Sequence, residues 1–269
     1  MTDISSPAQH VDPKRPLWRV VAVPSEHGGW GLTLEPVLLG LLLAFSWAGV
    51  AIGIAAFVAF VARTPLKLAL VDRRRHRSLP RTRLATRVAI VEVLLLAVLG
   101  LLALAGAGWE WLVPIGIAAP LVVVELWFDI RSRGRRLVPE LCGSIGITAV
   151  AAAIIVAGDE TNRLALAASM ILAARAVASI PFVRTQIARL RHGGAALAAT
   201  DAFQIAGAVL AITAIAVDDR VTVGAFAVVI VAVLQAVWMR RHTVPVAKVI
   251  GVQQMVLGLV IVVATATTV

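Results

Sequence analysis

Nine apolar stretches, separated by short polar segments, follow one another along the 269 residues of the chain. Each is close to the length of about 20 apolar residues that a helix needs to cross the hydrocarbon core of a bilayer. We therefore predict an all-α polytopic membrane helical bundle with nine transmembrane helices. The predicted spans are residues 30–46, 48–70, 88–106, 111–128, 138–157, 164–183, 200–217, 221–239 and 246–267.

The polar segments between the spans alternate in charge. Every second segment is basic, and together these segments hold Arg73, Arg74, Arg75, Arg77, Arg81, Arg83, Arg87, Arg131, Arg133, Arg135, Arg136, Arg184, Arg189, Arg191, Arg240, Arg241 and Lys248. The intervening segments are short and acidic, and they hold Glu110, Asp159, Glu160, Asp218 and Asp219. Because Lys and Arg accumulate on the cytoplasmic side of membrane proteins, we predict a cytoplasmic basic side. With nine spans, the N-terminus is then cytoplasmic and the C-terminus external.

The limits of the membrane domain follow from the same pattern. Residues 1–23 are polar and lack the short apolar core of a signal peptide, so we interpret them as a cytoplasmic N-terminal tail. Residues 24–269 then form a single transmembrane domain. The fourth span is the least regular, because Pro114 and Pro120 interrupt it. An arrangement with eight spans would place the later arginines outside, against the charge pattern.

The composition agrees with a membrane protein. Apolar residues make up 60% of the chain and the mean hydropathy is +0.92, which is too apolar for a soluble domain. The net charge of +10 could indicate nucleic-acid binding, but the cations stand beside apolar spans. We interpret them as orientation signals that contact membrane lipids, and we predict no nucleic-acid partner. The single Cys142 excludes an internal disulfide and a thiolate metal cluster.

Polar residues at the inner ends of the spans are the candidates for function. The candidate ligand-binding residues are Glu26, His27, Arg63, Lys67, Glu125, Asp129, Arg175, Ser179 and Arg184. Arg63 and Arg175 each lie several residues inside a span, where a charge costs at least about 2.5 kcal/mol. Several of these residues also share a helix face at a spacing of i, i+4, and like charges at that spacing favour a partner or ligand of opposite sign.

Two interpretations of these residues stay open. In the first, Arg63 and Arg175 converge on an anionic ligand. In the second, they pair with Glu35, Glu125 or Asp129 and only hold helices together, or they reach the cytoplasm. The second is favoured for Lys67, Asp72 and Arg184, which lie near the interface. Glu26 and His27 could be an acid–base pair or half of a metal site, but a helix start capped by Ser25 explains them equally well.

Three segments resemble the YwiC-like family of bacterial membrane proteins. They are the Ser25–Trp30 opening, the Arg-Thr-Pro-Leu-Lys segment at 63–67, and the following Asp-Arg-Arg-Arg at 72–75. The resemblance runs over most of the chain and is strongest in the first 90 residues. It implies a multi-pass protein of the bacterial cytoplasmic (inner) membrane.

A more distant similarity is to the UbiA-type prenyltransferases, carried by the stretch 135–143 that enters the fifth span. This similarity implies nine helices, an internal N-terminus and a site open to the cytoplasm. UbiA-type enzymes carry Asp-rich motifs at the ends of helices 2 and 6, where Mg²⁺ bridges carboxylates to a prenyl diphosphate. Here those places hold Arg63, Lys67 and Asp72, and then Arg175, Ser179 and Arg184.

Arg and Lys can bind phosphate directly, Arg in bidentate fashion. We therefore predict a UbiA-like bundle with a cytoplasm-facing basic cavity for an anionic, lipid-linked or isoprenoid-diphosphate ligand, without a cofactor or an assigned catalytic residue. An Mg²⁺-dependent prenyltransferase is the disfavoured alternative, with Asp72, Glu125 and Asp129 as candidate metal ligands. A small anion transporter, and an accessory or assembly factor with a membrane protein partner, stay open as well.

Overall fold

Helices make up nearly all of the described chain. The computed structural model describes residues 18, 27–76, 79–131, 136–195, 197–241 and 243–267, and no strand occurs among them. We number the helices α1 to α9 in chain order. They are α1 His27–Leu43, α2 Trp47–Arg74, α3 Pro80–Ala107, α4 Leu112–Ile130, α5 Leu137–Ala157, α6 Asn162–His192, α7 Ala198–Val217, α8 Thr222–Arg241 and α9 Ala247–Ala266. Within α5, a short interruption separates α5a (Leu137–Gly146) from α5b (Ala149–Ala157).

The predicted helical membrane bundle is confirmed for the described residues. Each of the nine predicted spans corresponds to one helix, and eight of the helices are long and apolar enough to cross a membrane. The described part of α1 has 17 residues; at about 1.5 Å per residue it is shorter than the hydrocarbon core. The irregular fourth span is one continuous helix. Pro114 lies in its first turn, where a proline removes no helical hydrogen bond, and the helix continues through Pro120 in its interior.

Several helices extend beyond their apolar parts, which corrects the predicted boundaries. Helix α2 continues to Arg74, α3 begins at Pro80 rather than at residue 88, and α6 continues to His192. Many arginines expected in loops therefore lie on helical turns. Arg favours helices, and Pro80 stands at the first helical position, where its fixed φ angle is already helical. Hydropathy marks only where the apolar residues end.

The core of the bundle is built around α5b and α6. About two thirds of the apolar window of α6 is buried, against about a tenth for α3 and α4. Eight of the nine residues of α5b are buried, and five of those eight are alanines. Small side chains let neighbouring helices approach closely, so α6 packs against α5b and α7 with Leu164 and Ile171 fully buried. The outer helices α3 and α4 leave wide apolar faces exposed, as lipid contact requires.

Polar contacts connect helix ends on both sides of the bundle. On the basic side, Arg74 donates to the carbonyl oxygen of Ile130 at 3.3 Å, and Arg189 donates to that of Met239 at 2.9 Å. These contacts join α2 to α4 and α6 to α8. The ends that carry the predicted basic segments therefore lie together.

The opposite side of the bundle, which carries the predicted acidic segments, also contains an arginine that pairs with them. Arg220, in a short 3₁₀ turn before α8, donates to Asp218 at 3.0 Å and to Glu160 at 3.1 Å. The hydrogen bond from Arg220 to Asp218 holds the pKa of Asp218 below its ordinary value. The connection between α5 and α6 is thereby tied to the connection between α7 and α8.

Candidate functional site

A buried carboxylate of α4 organises two cations of α2. The Nε and Nη2 atoms of Arg63 donate to Oδ2 of Asp129 at 3.0 and 2.8 Å, and Nζ of Lys67 donates to Oδ1 at 3.0 Å. Arg63 Nη2 also lies 2.8 Å from Oε1 of Glu125. The Asp129 side chain is 1% exposed, whereas those of Arg63 and Lys67 are 35% and 38% exposed. Asp129 thus fixes two cations that remain partly open to solvent.

Helix periodicity and one glycine explain this arrangement. Arg63 and Lys67 share a face of α2, and Glu125 and Asp129 share a face of α4, at i, i+4. The two pairs of like charge neutralise each other across the helix contact. The missing side chain of Gly143 on α5a leaves room for the Glu125 carboxylate, because a Cβ there would overlap it. Helix α5a therefore closes one side of the group.

A third cation also contacts α5a. Arg184 of α6 donates to Glu140 of α5a through Nη1, at a distance of 2.7 Å. Glu140 precedes Gly143 by three residues, about one helical turn, so the same helix segment touches both ion-pair groups. We call Arg63, Lys67, Glu125, Asp129, Glu140 and Arg184 the basic-end cluster.

Arg175 has different surroundings. Its Nη2 atom lies 2.8 Å from Oε1 of Glu35 on α1 and donates to the carbonyl oxygen of Gln254 on α9 at 2.7 Å. The Arg175 and Glu35 side chains are only 7% and 4% exposed. Gly258 faces the pair, and a Cβ at that position would overlap both side chains. Arg175 contacts Glu35 and Gln254, whereas Arg63 contacts Glu125 and Asp129, and the convergence of the two arginines on one ligand stays a prediction.

The Arg175–Glu35 pair adjoins a chain of amides that the sequence pattern did not predict. Gln204 of α7 donates to Gln235 of α8 at 2.9 Å, and Gln235 donates to the side chain of Gln254 at 3.3 Å. Ser179 lies beside them and, with Arg175, Gln235 and Gln254, lines a cavity of about 10 Å³, near the minimum space for one water molecule. The available signal was a glutamine within the apolar span of α8 and the consecutive pair Gln253 and Gln254 within that of α9.

The remaining candidate residues lie away from the basic-end cluster or outside the described residues. Glu26 falls outside the described residues, and for His27 only the backbone is described, as the first residue of α1. Asp72 is buried at the end of α2, where it accepts a hydrogen bond from Thr82 Oγ1 at 2.6 Å and contacts Arg81 at 3.5 Å. These contacts tie the end of α2 to the start of α3.

The described carboxylates do not fit a two-Mg²⁺ site of the UbiA type. Such a site needs several oxygen ligands from carboxylates and phosphate. Glu125 and Asp129 instead engage cations of α2, and the described contacts of Asp72 are to Thr82 and Arg81. Across the described part of the chain, no three His, Cys, Asp or Glu side chains come together as metal ligands would.

Comparison with known proteins adds one finding. The family model described as YwiC-like protein matches residues 23–157, half of the chain. This range ends with α5 and contains five of the six side chains of the basic-end cluster, all except Arg184. No curated protein and no solved structure matches the chain.

Proposed function

The chain belongs to the YwiC-like protein family, and from this premise we propose that it binds an anionic, lipid-linked ligand of the isoprenoid-diphosphate type at the basic-end cluster. The observation that carries the proposal is the role of Asp129. This buried carboxylate holds Arg63 and Lys67 side by side while about a third of each side chain stays exposed. Two cations held in this way are preorganised for a phosphate group.

The chemistry of the cluster suits a phosphate better than a carboxylate-bridged metal. A planar guanidinium such as that of Arg63 makes bidentate contacts with phosphate oxygens, and the ammonium of Lys67 adds a point charge. Glu125 and Asp129 orient these cations rather than presenting free oxygens to a metal. Arg184, paired with Glu140 of α5a, supplies a third partly exposed cation.

The position of the cluster suits a ligand with an apolar tail. Asp129 is the second-last residue of α4, at the basic end of the bundle, which the positive-inside rule assigns to the cytoplasm. Val123 and Trp127 on the same helix are more than half exposed and apolar. A phosphate at the cluster would leave a prenyl chain free to extend along such a surface into the hydrocarbon core.

The relation to UbiA-type prenyltransferases is part of this proposal. Prenyl transfer with Mg²⁺ is less well supported, because the described carboxylates that would hold the metal lie against cations. We therefore propose binding without assigning catalysis. An accessory or assembly role with a membrane protein partner is compatible with binding and stays a prediction.

Transport of a small anion is a second candidate, favoured by the interruption of α5. The break at Ile147 and Thr148 falls in the middle of the span, where transporters often have discontinuous helices. Thr148 Oγ1 donates to the Ile145 carbonyl oxygen at 2.7 Å, and Ser169 Oγ donates to that of Thr148 at 3.1 Å. These side chains satisfy the carbonyl groups near the break, which makes an irregular backbone tolerable in the membrane.

Titration of the purified protein with farnesyl diphosphate tests the proposal. The variants Arg63→Gln and Lys67→Gln should each weaken binding about tenfold to a hundredfold, because each loses a charged contact. Arg63→Lys should recover only part of the affinity, since it cannot make the bidentate contact. Arg191→Gln is the matched control at an exposed arginine outside the cluster and should bind normally. Unchanged affinity in folded Arg63→Gln and Lys67→Gln proteins would refute the proposal.

Uptake of phosphate into liposomes, without farnesyl diphosphate binding, would favour the transporter.

A further inference from the structure

A second basic site lies on the outer face of α3, apart from the basic-end cluster. Pro80, Arg83, Leu84 and Arg87 line an open groove of about 450 Å³ at the start of this helix. Their spacing of i, i+3, i+4 and i+7 places them on one face of α3. The groove thus combines two guanidinium groups with two apolar side chains.

The packing of α3 determines which way this face points. Helix α3 packs mainly against α2, through the buried residues Ala85, Ala89, Leu99 and Ala103. Its first turn is fixed by Asp72 of α2, which contacts Thr82 and Arg81. Arg83 and Arg87 lie on a different face and are exposed, with no hydrogen bond or ion pair to any other described residue. They are therefore available to an external anion.

The same face continues as an apolar stripe. Ile90, Val91, Leu94, Val98 and Leu101 are each more than half exposed, and they follow Arg87 at successive helical turns. From Arg87 to Leu101 the helix rises by about 21 Å at about 1.5 Å per residue, which is more than one leaflet of a hydrocarbon core about 30 Å thick. Cations at the membrane interface thus lead directly into a lipid-facing apolar surface.

We propose that this face is a binding site for an anionic phospholipid. The phosphodiester lies between Arg83 and Arg87, whose spacing of i, i+4 puts their Cβ atoms about 5–6 Å apart. Guanidinium groups bind phosphate oxygens in bidentate fashion. An acyl chain lies along the stripe from Ile90 to Leu101. The site differs from the basic-end cluster in residues and in ligand, since it takes a membrane phospholipid from the leaflet on the basic side.

Native mass spectrometry of the full protein, titrated with phosphatidylglycerol or phosphatidylcholine, tests the inference. Phosphatidylglycerol should bind more tightly than phosphatidylcholine. The Arg83→Gln/Arg87→Gln variant should lose about tenfold or more of the affinity for the first phosphatidylglycerol. The control Arg191→Gln/Arg241→Gln removes the same charge from exposed arginines elsewhere at the basic end and should lose less than about twofold, because only screened attraction is removed.

Two further measurements test the contact with the acyl chain and the independence of the two sites. Dibutanoyl phosphatidylglycerol, whose chains cannot follow the stripe, should bind the unmodified protein at least about tenfold more weakly than the long-chain lipid, since apolar burial is lost. The Arg83→Gln/Arg87→Gln variant should keep its affinity for farnesyl diphosphate, which separates this site from the proposed function. Equal losses in the two double variants, no preference for phosphatidylglycerol, or equal binding of the short-chain lipid would overturn the inference.

Discussion

The buried pair of Glu35 and Arg175 allows a quantitative prediction. Removing one partner of a buried ion pair leaves an uncompensated charge and costs about 3–5 kcal/mol. Both side chains are almost fully buried, so little solvent screening reduces this value. Glu35→Gln and Arg175→Gln should therefore each lower the free energy of unfolding by about 3–5 kcal/mol. In the double variant two neutral amides face each other, and the loss should be no more than about 2 kcal/mol.

The four proteins of this double-mutant cycle can be compared by reversible unfolding in mixed micelles, with SDS as denaturant and far-UV circular dichroism as the readout. The expected coupling energy is at least about 4 kcal/mol. The matched control is Glu140→Gln with Arg184→Gln, the same substitutions in a pair whose side chains are 34% and 40% exposed. Its coupling should stay within about 1 kcal/mol.

Three results would refute this reasoning. Losses that simply add in the double variant would show that the two charges do not depend on each other. Single losses below about 1 kcal/mol would show that water or another group compensates the remaining charge. A coupling in the control pair as large as that of Glu35 and Arg175 would show that burial is not the cause.

Three further predictions follow from the architecture. Reporter fusions at Asp159 and Val269 should be external, and a cytoplasmic Val269 would overturn the nine-span arrangement. Gly143→Ala should lower the free energy of unfolding by up to about 1 kcal/mol, because the methyl group displaces the Glu125 carboxylate from Arg63, whereas Gly251→Ala has open space around it and should not. Binding of farnesyl diphosphate should survive chelation of Mg²⁺ and weaken with added salt, because cation–phosphate attraction is screened. Loss of binding on chelation, restored by Mg²⁺, would instead support the metal-dependent alternative.

The sequence is sufficient to predict the helices because a membrane restricts the possible backbone structures. In hydrocarbon every backbone polar group must be paired within the protein, so an apolar stretch of span length becomes a helix. The helix ends were less predictable. Arg73 and Arg74 continue α2 beyond its apolar part, and hydropathy contains no signal for that continuation.

Some of the side-chain pairings could be predicted from the sequence and others could not. The spacing of Arg63 with Lys67 and of Asp129 with Glu125 predicted groups that need opposite charge, and the structure brings these two groups together. The same reasoning could not choose Glu35 as the partner of Arg175, because that contact depends on how α1 packs against α6.

The sequence could not predict the contacts between the glutamines for the same reason. The three glutamines lie on three different helices, and only the packing of α7, α8 and α9 brings Gln204, Gln235 and Gln254 into contact. Periodicity within one helix shows which residues share a face, but not which face of another helix they meet.

The most direct test of the central proposal is to identify what the protein carries from the membrane. Native mass spectrometry of the gently purified protein should show a bound phosphorylated isoprenoid lipid, identified by fragmentation. The same adduct should be absent from a folded Arg63→Gln/Lys67→Gln variant and retained by Arg191→Gln. A protein that carries no such lipid and binds no added farnesyl diphosphate, or an adduct that the double variant keeps in full, would contradict an anion site at the basic-end cluster.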